Sequence, residues 1–228
     1  MTMEPNPYWE GRKGLLYYQV VRILAEDIGK DAESIIDVGS AGCPYLDWFP
    51  QATHRTSLDL TRPYEAPGVQ SFKGDFLTWT ADRQYDVVTC LQVLEHVPDA
   101  RAFAQKLLAT GKTVIVSVPY KWRKGHTESH VHDPVDKAKL RAWFGRRPSF
   151  QYVVTEVSTR TRRIVHVYDA SPIPWASLSQ RAIFITRDYR ALRRKIMDRL
   201  LRGARTRWAG VRKALGLAPP AAAGKRRG

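Results

Sequence analysis

The sequence predicts an α/β chain: a doubly wound, mostly parallel sheet with an antiparallel edge hairpin, followed by a C-terminal amphipathic helix. Three observations predict it. Short apolar runs alternate with segments of helical periodicity through residues 14–118, the pattern of strands joined by crossovers that lie on both faces of a sheet. Two apolar, β-branched runs between residues 150 and 168 are parted by a short turn, as in a hairpin. Beyond Asp188 the apolar residues fall three or four apart, as on one face of a helix.

The elements follow in chain order. Gly14–Ile28 reads as a helix, with Leu15, Tyr18, Val21, Ile23, Leu24 and Ile28 on one face. Ser34–Val38 is a short apolar run ending at a glycine, so it reads as a buried strand. His54–Leu60, Val69–Phe72 and Tyr85–Leu91 read as the second, third and fourth strands. Ala100–Thr110 has Phe103 and Leu107 four apart and reads as a helix, which Gly111 ends as a left-handed cap. Thr113–Val118 is almost wholly β-branched. Tyr120–His132 is polar and mixed, hence a loop. Asp133-Pro134 reads as the start of a helix, Asp as N-cap and Pro at the first position, running to Phe144 and stopping at Gly145. Phe150–Val157 and Arg163–Tyr168 form the hairpin.

The chain has 228 residues, 43% of them hydrophobic, enough for one sizeable core with an appendage. Residues 1–170 are assigned to that core, 171–187 to a linker broken by Pro172 and Pro174, and 188–228 to a tail. The tail's stripe is Tyr189, Leu192, Ile196, Leu200, Ala204, Trp208, Val211 and Leu215; the residues from Pro219 onward are expected to be disordered. Cys43 and Cys90 show no metal spacing and suit reduced, buried thiols of a cytoplasmic protein. No apolar run is long enough to span a membrane, and the first eleven residues carry no secretory pattern. Charge is concentrated: residues 187–228 hold fourteen Lys and Arg against Asp188 and Asp198, a surplus of twelve out of a net +15.

Chemistry enters at Asp37-Val38-Gly39-Ser40-Ala41-Gly42. A glycine-bearing turn after a first strand lets backbone approach a ligand closely. An acid at the end of the second strand, here Asp59, can accept both hydroxyl protons of a ribose. The turn alone leaves a nicotinamide enzyme open. Asp37 at the strand end disfavours a pyrophosphate and suits an ammonium. Gly74-Asp75-Phe76 follows the third strand, where a carboxylate can accept from an adenine amino group. Leu91-Gln92-Val93-Leu94-Glu95-His96-Val97-Pro98-Asp99 follows the fourth.

With these segments together, residues 34–118 resemble the class I, Rossmann-like S-adenosylmethionine-dependent methyltransferases, especially the group of ubiquinone-biosynthesis and small-molecule enzymes. The Val93–Asp99 segment carries the resemblance most specifically, and it extends more loosely through Val116–Pro119 and His132–Leu140. The glycine pattern departs from that family at Ala41 and Cys43, so Cys43 must avoid left-handed backbone. The resemblance implies S-adenosyl-L-methionine as cofactor and S-adenosyl-L-homocysteine as product. Asp37, Gly39, Ser40 and Gly42 would hold its methionine part, Asp59 and Leu60 the ribose, Asp75 and Phe76 the adenine. Leu91 and Gln92 would line the sulfonium side. Tyr17, Tyr18 or Arg12 would close over the cofactor carboxylate, with ordinary packing as the alternative for the tyrosines.

The acceptor is open. A hydroxyl acceptor of high pKa needs a general base, and His96, His130, His132 and His126 lie on the carboxyl side of the sheet. Three histidines within residues 126–132 also raise a divalent metal, with Glu128 and Asp133 nearby, but the spacing matches no strong signature, so no metal ligands are assigned. Trp122, Arg123, Trp143, Arg146 and Arg147 suit a sugar-like or glycan acceptor, O-methylated by in-line transfer. For the basic tail three partners stand: an anionic membrane surface at its inner face, nucleic acid, or the body of the same or a second subunit. An RNA methyltransferase and a non-catalytic S-adenosylmethionine-binding partner are the alternative functions.

Overall fold

The computed structural model describes residues 6–156 and 159–169, together with Arg194 and Asp198. The chain divides into two units, Met1–Ile185 and Thr186–Gly228. In the second, Arg194 and Asp198 are helical and exposed, four residues apart and off the apolar stripe. The rest of the expected tail helix, the linker 171–187 and the chain end lie outside the described residues.

The elements of the first unit are α1 (Pro7–Glu10), α2 (Leu16–Gly29), β1 (Ser34–Val38), a 3-10 turn (Tyr45–Trp48), β2 (His54–Asp59), β3 (Val69–Lys73), β4 (Tyr85–Leu91), α3 (Ala100–Thr110), β5 (Gly111–Pro119), α4 (Lys137–Phe144), β6 (Phe150–Thr155) and β7 (Arg162–Asp169). They build one seven-stranded sheet of order β3-β2-β1-β4-β5-β7-β6. The first five strands are parallel, and β7 runs antiparallel to both β5 and β6. The strand order reverses between β1 and β4, the position where ligands of such sheets bind beyond the carboxyl ends.

Alternation along the strands sorts side chains between the two faces. Ile36, Val38, Val88, Cys90, Val114, Val116 and Val118 join Phe103, Leu107, Leu140 and Phe144 of α3 and α4 in one apolar core. Each such Leu or Val, fully buried, stabilises the fold by roughly 1.5–3 kcal/mol. The opposite face carries Asp37, Thr89 and Ser117, all buried, beneath α2. Helix α2 buries Leu16, Tyr17, Val20, Val21 and Leu24; Ile23, grouped with that face by its spacing, is exposed. Cys43 and Cys90 are free and buried. Among the described residues no helix is long and apolar enough to cross a membrane.

Two local expectations are corrected, and one element is added. Gly111 is extended (φ −133°), not left-handed. It opens β5, where a Cβ would lie 2.3 Å from Val88 Cγ2, so packing rather than capping requires glycine. Helix α4 is capped by Asp136, whose side chain accepts from Lys139 N at 2.9 Å. Asp133, joined to Pro134 by a cis peptide, is buried in the loop before it and bonds a histidine. The added element is α1, a single turn whose cap Asn6 accepts from Tyr8 N and Trp9 N, with Pro7 at the first position. Asn6 Nδ2 also donates to Ala41 O at 2.9 Å, fastening this turn to the loop after β1.

Candidate functional site

Asp37 stands one residue before the end of β1, in register with Ser57 of β2 and Thr89 of β4. It is 1% exposed. Oδ1 accepts from Thr89 Oγ1 at 2.6 Å, and Oδ2 is buried with no hydrogen-bond partner. Burial pushes its carboxyl up to about 7; the Thr89 bond opposes this and the Asp59 charge adds to it. The chain then turns through left-handed backbone at Gly39 (φ +83°), Ala41 (φ +48°) and Gly42 (φ +72°). Cys43 is spared, because Ala41 and Gly42 take the positive φ values. Gly39 is required twice over: a Cβ there would also lie 2.4 Å from Val93 Cγ2.

Asp59 closes β2 and ties the neighbouring turns to each other. Its Oδ2 accepts from Ala41 N at 2.8 Å, and Oδ1 accepts from Thr61 N at 2.9 Å and Arg62 N at 2.8 Å. Ser40 is buried beside it, its hydroxyl accepting from Gly42 N and from Ser57 Oγ at 3.2 Å each. Leu60 is 66% exposed. Asp75 is exposed and accepts from Leu77 N at 2.9 Å. Phe76 turns inward instead, against Phe103 with ring centroids 4.8 Å apart, so Leu60 and Asp75 face outward while Phe76 belongs to the core.

Leu91, buried, ends β4, and Gln92 follows with φ +61°, a sparsely populated conformation that surrounding bonds must hold. They do. Gln92 N donates to Ser117 O at 2.9 Å, and its Nε2 donates to Ser117 Oγ at 3.1 Å. Arg163 Nε donates to Gln92 Oε1 at 3.1 Å. The Tyr17 hydroxyl bonds Ser117 Oγ from above, and burial raises it far above the usual phenol range, against the Ser117 bond. The Arg163 guanidinium lies 5.3 Å over both the Tyr17 and the Trp122 rings. Its Nη1 stands 3.8 Å from Glu156 Oε1, an ion pair too long for a hydrogen bond.

The histidines divide. His96 and His130 come together with ring centroids 4.8 Å apart, and Trp122 stacks on His130 at 5.7 Å. His96 Nδ1–H donates to Ser129 O at 3.0 Å, and His130 Nδ1–H to Asp133 Oδ2 at 2.7 Å. Burial holds His96 below the usual imidazole range. His132 lies apart, Nε2–H donating to Val97 O at 2.7 Å and the ring set edge-on to Trp143. His126 packs on Trp122. Beside the paired histidines Glu95 is 1% exposed, with Oε2 lacking a partner. Burial pushes its carboxyl up to about 8, with Asp133 adding and Arg163 opposing.

At the N-terminal side, Tyr18 bonds the Tyr45 hydroxyl at 3.0 Å inside a cluster with Trp9. Arg12 precedes α2 and stacks on Tyr8 at 4.0 Å, exposed. A groove of about 750 Å3 runs outside the glycine turn, touching it at Gly42 and bounded by Asn6, Trp9, Thr61 and Arg62. Sequence reasoning did not single out Glu95, Ser117, Arg163 or Glu156 for the site. For Arg163 and Glu156 the only local signal was a charge beside an apolar strand.

A methyltransferase-domain family model matches residues 8–170. No curated protein matches the chain. Among solved structures, the chain is similar to 1,6-didemethyltoxoflavin-N1-methyltransferase of Burkholderia thailandensis, which was crystallised with 1,6-didemethyltoxoflavin and S-adenosylhomocysteine: 15% identity and a TM-score of 0.54, over 71% of this chain and 83% of that one. It is similar to N-methyltransferase NodS of Bradyrhizobium japonicum WM9, in complex with S-adenosyl-L-homocysteine: 12% identity and a TM-score of 0.51, over 73% and 89%. A third is the N-terminal domain of EvdMO1 with S-adenosylhomocysteine bound: 18% identity and a TM-score of 0.50, over 67% and 81%. At these identities the likeness is one of fold.

Proposed function

The chain belongs to the methyltransferase-domain family, and from that premise we propose that it methylates a hydroxyl of a small-molecule or sugar-like acceptor, using S-adenosylmethionine. The observation that carries the cofactor assignment is Asp37. A buried carboxylate oxygen without a partner, beside a left-handed glycine turn at the sheet's switch point, is the counter-charge an amino-acid ammonium needs. Gly39, Ser40 and Gly42 lie against the same moiety. Asp59 retains an acceptor site on Oδ2 for a ribose hydroxyl, Leu60 offers an exposed apolar side chain to the adenine, and Asp75 an exposed carboxylate to its amino group. Leu91 and Gln92 border the sulfonium.

When bound, the cofactor supplies a methyl group on a positively charged sulfur, displaced in line. The protein's part is alignment and charge. The Ser117–Gln92–Arg163 chain of hydrogen bonds fixes the floor between cofactor and acceptor, and Tyr17 covers it. Trp122, stacked on His130 and under the Arg163 guanidinium, lends an aromatic edge to the acceptor side. His130 is the best-placed proton acceptor: Asp133 holds its Nδ1–H, leaving the Nε2 lone pair to take a proton, with Glu95 and His96 close by. His96 is the second candidate. His132, engaged through Nε2, serves the loop.

The test has two stages. Calorimetry with S-adenosylhomocysteine should show binding at one site per chain, lost in Asp37→Ala. Transfer of labelled methyl from S-adenosylmethionine should then appear in a small-molecule or membrane extract. Label in RNA alone would replace the acceptor assignment with an RNA substrate. Binding without transfer to any extract would leave a non-catalytic binding protein.

A further inference from the structure

Three ligand-type side chains converge beside the floor just described. One oxygen of Glu95 and one nitrogen each of His96 and His130 lie within 4.8 Å of one another, and the Glu95 Oε1 to His96 Nε2 distance is 4.0 Å. They come from separate loops, after β4 and after β5, joined by Val131 N donating to Glu95 O at 2.9 Å.

The second observation is how each group is held. Both imidazoles commit Nδ1–H outward, His96 to the Ser129 carbonyl and His130 to the Asp133 carboxylate. That fixes the tautomer and leaves both Nε2 lone pairs free. An imidazole whose far nitrogen is bonded to a carbonyl or carboxylate is the usual support of a metal-ligating histidine. The Glu95 side chain is buried, yet Oε2 has no hydrogen-bond partner. Asp133 is likewise buried, and its Oδ2 serves His130. A general base needs one such imidazole. Two, with a buried carboxylate beside them, make a two-nitrogen, one-oxygen donor set.

We propose that Glu95, His96 and His130 bind a divalent transition-metal ion, with Asp133 and the Ser129 carbonyl positioning the two imidazoles. The nitrogen-rich set fits zinc, cobalt or iron better than magnesium, which prefers oxygen ligands. Ligand bonds of about 2.1 Å require the three atoms to close by about an ångström, and His96, whose side chain is 39% exposed, has room to swing. Three protein ligands leave open positions. The role of the ion rests on the methyl-transfer reading. There it binds the acceptor hydroxyl and lowers its pKa, so the hydroxyl proton leaves to water. The O–CH3 bond then forms as the S–CH3 bond breaks, its electron pair remaining on sulfur. With the ion bound, His130 and His96 are its ligands, and this role replaces the proton-accepting one given to them above.

The test uses the untagged full-length chain, stripped with a chelator and titrated with Co2+ and Zn2+. One equivalent should bind per chain, with visible Co2+ bands of a nitrogen- and oxygen-ligated ion. The double variant H96A/H130A should lose this binding, Glu95→Gln should weaken it at least tenfold, and Asp133→Asn about 10–100-fold. Unchanged melting temperatures and S-adenosylhomocysteine affinities would show that the variants fold. No saturable binding of either ion, or equal binding by the double variant, overturns the proposal; Mg2+ bound in preference to Zn2+ overturns the donor set. S-adenosylhomocysteine titrated into the same samples separates the two readings: its failure to bind sinks the methyltransferase assignment and leaves the ion site standing.

Discussion

Glu156 caps Tyr17 from 139 residues away: its Oε1 accepts from Tyr17 N at 3.0 Å, and Oε2 accepts from Leu16 N at the same distance. Helix α2 supplies no side-chain cap of its own, since Leu15 stands at that position. A carboxylate from the end of β6 therefore satisfies two of the helix's orphan donors and faces the positive end of its dipole.

Glu156→Ala is expected to destabilise the fold by about 1–3 kcal/mol, and also to leave Arg163 without its acid. Urea denaturation would read the loss. Hydrogen exchange would localise it to residues 16–20, and uniform exchange along α2 would contradict the capping role.

Asp37 gives a pH-dependent prediction. Its folded-state pKa is raised, so the protonated form favours folding: the ligand-free chain gains stability at low pH and loses it as pH rises through about 7. An ammonium ligand binds the ionised form, so S-adenosylhomocysteine affinity should climb between pH 6 and 8 and then level. Asp37→Asn should remove that slope, weaken binding more than tenfold, and stabilise the ligand-free chain at pH 8 by a few kcal/mol. A pH-independent wild-type affinity would contradict this.

His166 works in the opposite direction. It is buried in β7, Nδ1 bonded to the Tyr168 hydroxyl at 2.9 Å and Nε2 unpartnered. Burial depresses its pKa to about 4, with Lys137 adding. The unfolded chain binds this proton first, so stability present above about pH 6.5 is lost as pH falls toward 4, by roughly 3 kcal/mol at most. Thermal melts from pH 7 to 4 should be flatter for His166→Leu than for the wild type.

Gly39→Ala should be costly for two separable reasons, positive φ and the Val93 contact. The pair Gly39→Ala with Val93→Ala relieves only the contact. The double variant should recover part of the stability, and residual loss of about 1 kcal/mol would measure the left-handed backbone. Complete recovery would show that strain at Gly39 is negligible.

Much of this fold was legible because its signals are local. Ser34–Val38 and Tyr85–Leu91 are apolar runs cut by turn residues, and both strands begin and end at these bounds. The Asp37–Gly42 turn announced itself by composition. What escaped was set by partners distant in sequence. Gly111 does stop α3, but it is extended, and glycine is needed there because of the space Val88 takes. Asp133-Pro134 has the composition of a helix start, but Asp133 is taken by His130 and the cap falls to Asp136. The grouping of Glu95 with His130, and of Gln92 with Arg163, depends on two crossovers and a hairpin that no local pattern specifies. His96, His130 and His132 were equivalent in sequence; loop geometry separates them.

The position of β7 has a consequence for how the chain leaves the ribosome. Although last in sequence among the described strands, β7 lies inside the sheet, between β5 and β6. It brings Arg163 to Gln92, and the strand it pairs with brings Glu156 to α2. A nascent chain that has emerged through β5 holds the glycine turn, every strand around it and the Ser117 bonds to Gln92, yet its helix α2 is uncapped and Gln92 lacks its bond from Arg163. Synthesis thus completes this hydrogen-bond chain last, and translation arrest before the hairpin emerges would yield a particle with the glycine turn but without Arg163 on Gln92 or Glu156 on α2.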